Sequence, residues 1–167
     1  MRRQALVFAM VLAFSIGRDA SAQLIAGSDE DMLFTRVVDA SGTEQIELGL
    51  QFEREYPDSS VLGDVYTMIM TNYNQQNRSD EAIEWGEKAL SVDENNVQAL
   101  IALTYNLALT QQDVPQAIAY GQQALDTIET LRAGEPRPGY TPESWEQYLA
   151  TLETSAQAYL DYAETVR

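Results

Sequence analysis

An all-α fold, a stack of helical hairpins closed by a further helix, follows from three features of the sequence. The stretch Ala82-Ile83-Glu84-Trp85-Gly86-Glu87-Lys88-Ala89-Leu90 returns 35 residues later as Ala117-Ile118-Ala119-Tyr120-Gly121-Gln122-Gln123-Ala124-Leu125. A fainter copy, Ile46-Glu47-Leu48-Gly49, holds Ile and Gly in register 37 residues upstream. No segment shows the period-two alternation of a strand. A recurrence of about 20–50 residues marks an array in which each unit is one supersecondary element that cannot bury its apolar face alone.

The residue types that return have a packing reason. Ala82, Gly86 and Ala89 fall at i, i+4 and i+7, one stripe of a helix, where small side chains admit a neighbouring helix. Ile83 and Leu90 flank the stripe and Trp85 supplies bulk beside it. Glycine inside a helix costs about 1 kcal/mol against alanine, so three in-register glycines predict a close crossing that outweighs propensity.

The first 22 residues read as a cleavable signal peptide. Arg2 and Arg3 form a positive start, Ala5 to Phe14 is an unbroken apolar run, and Ala20-Ser21-Ala22 is an A-x-A cleavage site before Gln23. Ten apolar residues are too few for a membrane span, which needs about twenty. The expected destination is the periplasm or the extracellular space. No cysteine follows to carry a lipid or a disulfide, so the remaining chain, residues 23–167, must be held by helix packing.

Within that domain the first hairpin is predicted over about 29–58. Asp29-Glu30-Asp31 precedes Met32, Leu33, Val37 and Val38, and Ser41 with Glu44 forms an S-x-x-E capping pattern for a second helix ending near Pro57. The second hairpin spans about 61–94, with Ser79 as the expected cap of its second helix. The third spans about 97–132, with Asp113 capping toward Gln116 and Pro115 in the first turn. A Pro- and Gly-rich loop, Arg132 to Gly139, then leads to a capping helix over about 142–166, started by Thr141 and Pro142. Its apolar stripe, Trp145, Leu149, Leu152, Ala156, Tyr159, Ala163 and Val166, steps by fours and threes. Such a stripe closes the open end of a stack or forms the seam of a homodimer.

Charge and composition exclude several classes of function. The formal net charge is −16, and loss of Arg2, Arg3, Arg18 and Asp19 with the signal peptide takes it to −18. Nucleic acid and anionic membrane surfaces are repelled by such a chain, and no stable membrane insertion is expected. The absence of histidine removes imidazole bases, Ser-His or Cys-His pairs and His-ligated metals. No phosphate-binding or dinucleotide glycine motif is present. The expectation is a protein that is not an enzyme and carries no cofactor and no metal. Asn77-Arg78-Ser79 matches a glycosylation sequon but lies where a polar turn is expected in any case.

Residues 63–96 resemble the tetratricopeptide repeat, a 34-residue helix-turn-helix unit. Tyr66, Ile69, Met70 and Tyr73 match its first helix, and Ala82, Trp85-Gly86 and Ala89 its second. Residues 97–130 match with one inserted residue, and residues 29–60 match in the second helix and Tyr56-Pro57. Met70, Gly86 and Glu94 depart from the family's glycine, aromatic and proline. The resemblance implies a right-handed solenoid whose first helices line a concave groove that holds a peptide or a helix of another protein. Carried over by residue, the groove positions are Asp64, Thr67, Thr71, Asn74, Gln98, Ile101, Tyr105 and Ala108. With Lys88 the sole lysine and on a second helix, a basic or apolar segment suits this groove better than a carboxylate terminus. Ile101 and Tyr105 equally suit packing against the next element. Two functions are expected in consequence: an exported scaffold for protein-protein interaction in the cell envelope or secreted space, or a structural homo-oligomer assembled through the C-terminal heptad helix.

Overall fold

The structure is a computed structural model and describes residues 24–167; residues 1–22, where a signal peptide is expected, lie outside the described residues. It is all-α. Among the described residues seven helices follow in order: α1 (Asp29–Asp39), α2 (Gly42–Glu55), α3 (Leu62–Gln75), α4 (Ser79–Val92), α5 (Val97–Thr110), α6 (Val114–Ala133) and α7 (Pro142–Thr165). Among the described residues no helix is long and apolar enough to cross a membrane.

Local chemistry sets most of the boundaries. Asp113 accepts the amide of Gln116 at 3.0 Å, and Thr141 exchanges hydrogen bonds with Ser144 in a capping box, with proline in the first turn of both helices. Two expected caps are not made. The Ser41 side chain bonds no helix amide, and α4 begins one residue earlier than a Ser79 cap requires, with Arg78 in the cap position. At α2 a tertiary contact replaces the local one: the Gly42 amide donates to Asn72 Oδ1 of α3 at 2.7 Å. A side chain from a neighbouring helix can satisfy an orphan amide as well as a local cap does.

Each even-numbered helix lies between two odd-numbered ones, and α3 also meets α5 as α5 meets α7. The glycines of the repeated stretch sit at these crossings. A β-carbon on Gly49 would stand 2.7 Å from Ile69 on α3, one on Gly86 2.9 Å from Leu103 on α5, and one on Gly121 3.1 Å from Leu160 on α7. Each therefore marks the approach of an even helix to the odd helix that follows it. Gly86 and Gly121 also press on the preceding odd helix, through Met70 and Thr104.

The apolar interior runs along the chain in three groups. One joins α1 to α4 around Val37, Phe52, Val65 and Ile69; one joins α5, α6 and α7 around Leu100, Ile128 and Leu149; a smaller one centres on Leu103 and Ala117. Leu90, the last residue of the repeated stretch, packs against all three. Burying a side chain of this size contributes roughly 1.5–3 kcal/mol, so a residue shared by three groups couples their stabilities. The stripe of α7 is spent inside this interior: Trp145, Leu149, Leu152, Ala156 and Ala163 are buried, with Leu160 added to them. Those residues present no free face to a second copy.

Candidate partner-binding face

The groove positions lie on α3 and α5, and the structure sorts them by access. Thr71 is exposed, and Asp64, Asn74, Gln98 and Tyr105 are half-buried. Thr67, Ile101 and Ala108 are buried and offer no surface to a ligand. That corrects their expected place in the groove, and the reason is packing. Thr67 turns its hydroxyl onto the Gly63 carbonyl and accepts from Asn96, Ile101 joins the α5–α6–α7 core, and Ala108 sits in the Leu103 group.

The remaining positions divide into two neighbourhoods. Asn74 accepts from Asn106 Nδ2 at 2.6 Å, and Thr71 donates back to the Thr67 carbonyl at 2.8 Å, so its hydroxyl is turned along its own helix. Tyr105 leans on α7, its ring centroid 4.8 Å from that of Tyr159 and 6.4 Å from that of Tyr162. Gln98 donates to the hydroxyl of Tyr148, also on α7. The seam between α5 and α7 is thus where several of these side chains converge, and α7 supplies half of its lining.

Asp64 carries the largest electrostatic perturbation on this face. Burial drives its carboxyl up from 3.8 to about 6, Asp93 adds to the rise, and the Arg137 guanidinium opposes it. Arg137 belongs to the loop between α6 and α7. It stands 5.5 Å from the centroid of the Trp145 ring, which is grouped with Tyr140 at 5.2 Å and Tyr148 at 5.6 Å. Burial likewise raises the Tyr148 hydroxyl, against the pull of its Gln98 hydrogen bond and of Arg137. The indole Nε1 of Trp145 is buried without a hydrogen-bond partner.

Residues outside the expected set hold these elements in register. Asn72 and Asn106, 34 residues apart and both buried, each donate to a carbonyl of their own helix and to a polar side chain of another, Gln45 on α2 for Asn72 and Asn74 on α3 for Asn106. Their 34-residue spacing is one short of the 35-residue recurrence, which was the available signal, but asparagine near a helix end reads first as a turn residue. The aromatic group around Trp145 was visible as part of an apolar stripe, without its cation.

No protein-family model matches this chain, nor does any curated protein or any solved structure.

Proposed function

We propose that the chain is an exported, non-enzymatic scaffold of tetratricopeptide-like architecture that holds a segment of another protein against its odd-numbered helices. The observation that carries this reading is the equivalence of Gly49, Gly86 and Gly121, each pressed against the next odd-numbered helix. Repetition of one crossing along a chain is how stacked hairpins generate a continuous surface from local contacts. The half-buried polar and aromatic positions of α3 and α5 would contribute to such a surface, since α3 meets α5 and α5 meets α7. The excess of carboxylates favours basic partners and speeds their encounter. Export rests on the Arg2-Arg3, Ala5 to Phe14 and Ala20-Ser21-Ala22 pattern, and it directs the search for partners to the cell envelope and the secreted space.

The test is affinity capture from the envelope fraction of the native host with the wild-type chain, Thr71→Arg and Tyr105→Ala as baits. Thr71 is exposed, so its replacement leaves the core intact. A specific partner should be kept by the wild type and lost by Thr71→Arg. Retention of every partner by both variants would remove this face from the reading.

A further inference from the structure

The seam between α5 and α7 carries two aromatic groups along one line. Tyr148, Tyr159 and Tyr162 are 11 and 14 residues apart, close to whole helical turns, so they share a face of α7. Gln98 and Tyr105, 7 residues apart, share a face of α5 in the same way, and each meets its α7 counterpart. The first group, Tyr140, Trp145 and Tyr148, already has a cation against it: Arg137, delivered by Pro136-Arg137-Pro138 and attracted by Asp64. The second group, Tyr105, Tyr159 and Tyr162, has no cation over its rings among the described residues. It is also open, with Tyr162 36% exposed and Leu109, one turn beyond Tyr105, 45% exposed. Asp161 and Glu164, both exposed, flank Tyr162 in the sequence.

We propose that the Tyr105–Tyr159–Tyr162 group is a docking site for an extended segment of another protein rich in proline and arginine, the chemistry that the chain's own Pro136-Arg137-Pro138 presents to the neighbouring group. This rests on the partner-binding role proposed above and adds to it a place and a ligand class. Aromatic faces attract guanidinium groups, and a proline-stiffened extended chain loses little entropy on docking against an aromatic-lined furrow. The charge balance points the same way, since residues 24–167 hold 25 carboxylates against seven lysines and arginines.

The probe is a fluorescein-labelled Pro-Arg-Pro-Pro-Arg-Pro peptide, titrated with the whole chain at physiological ionic strength and followed by anisotropy. Tyr162→Ser and Leu109→Ser should each weaken binding at least tenfold, as should replacing both arginines of the peptide by glutamine. Both variants alter exposed side chains, and unchanged circular dichroism certifies the fold. Arg137→Ala should change the affinity less than twofold. Absence of binding by the wild type, or binding that salt removes but Tyr162→Ser and Leu109→Ser do not alter, overturns the proposal. If Arg137→Ala or Asp64→Asn shifts the affinity while Tyr162→Ser does not, the segment docks at the first group; the proposal falls and the partner-binding face stands.

Discussion

Leu103 fills the space that a β-carbon on Gly86 would need: its Cγ would lie 2.9 Å and its Cδ2 3.0 Å from that atom. The side chain is fully buried, and Met70 Sδ, at 3.3 Å, limits the space on the α3 side. Alanine would gain about 1 kcal/mol of helix propensity and lose roughly 1–3 kcal/mol to overpacking. Gly86→Ala should therefore lower stability by up to about 2 kcal/mol in urea unfolding. A gain in stability would mean that α4 and α5 meet with slack and that the repeated glycine is not there for packing.

Asn72 ties α2 to α3. Its Oδ1 accepts the Gly42 amide at the start of α2, and its Nδ2 donates to the Met68 carbonyl at 2.9 Å and to Gln45 Oε1. Leucine there would leave buried polar groups unpaired, at about 1–3 kcal/mol for each one that water cannot reach. Asn72→Leu should cost roughly 2–3 kcal/mol and speed hydrogen exchange at the Gly42 amide. Asn106→Leu should cost less, about 1 kcal/mol, because its partner Asn74 is only half-buried and can turn to water. Equal losses at the two sites would show that the asparagines act by shape and not through their hydrogen bonds.

Much of this was legible because it is local and repeated. The glycine crossings follow from a nine-residue stretch that returns in register, and the Asp113 and Thr141 caps from residues within one turn of each other. What was not legible depends on partners distant in sequence. The amide at the start of α2 is satisfied from α3, 30 residues on, so the local Ser41 pattern was misleading. Thr67, Ile101 and Ala108 were placed in a groove by resemblance, whereas packing across α5, α6 and α7 buries the latter two. Leu160 stands outside the heptad steps of α7, and only the approach of α6 at Gly121 gives it a role. The loop carrying Arg137 reads as a linker until its guanidinium is seen against Trp145.

Asp64 makes stability depend on pH in a defined direction. Burial raises its carboxyl to about 6, so the folded chain holds this proton more tightly than the unfolded chain, where the value is 3.8. The contribution to stability is then complete below about pH 4 and is lost as pH rises through about 6. A tenfold change in proton affinity on folding corresponds to about 1.4 kcal/mol, and partial solvent access reduces the total to roughly 1–2 kcal/mol. Asp64→Asn should match the wild type near pH 4 and exceed it by that amount at pH 7.5 in thermal unfolding. A variant less stable than wild type at pH 7.5 would mean that the attraction to Arg137 outweighs burial.

Lys88 is the only lysine in the chain, and it is held between charge and aromatic faces: its Nζ lies 3.1 Å from Glu53 Oε1 and 3.8 Å from the centroid of the Trp85 ring. Tyr66 completes the group by donating its hydroxyl to the same Glu53 oxygen at 3.0 Å, so α2, α3 and α4 are joined through one carboxylate. The ion pair is partly exposed and open to screening by salt, whereas the contact with the Trp85 face persists. Lys88→Met should cost about 1 kcal/mol at low ionic strength and about half that in molar salt. Burial first, and then the Glu53 hydrogen bond and charge, push the Tyr66 hydroxyl up to about 12. Because that value is raised in the folded state, its contribution to stability is full below pH 10 and lost as pH climbs through about 12. Glu53→Gln should bring the Tyr66 transition down toward the ordinary tyrosine range, read as earlier tyrosinate absorbance in an alkaline titration. An unmoved transition would assign the whole rise to burial and leave Glu53 bound to Lys88 alone.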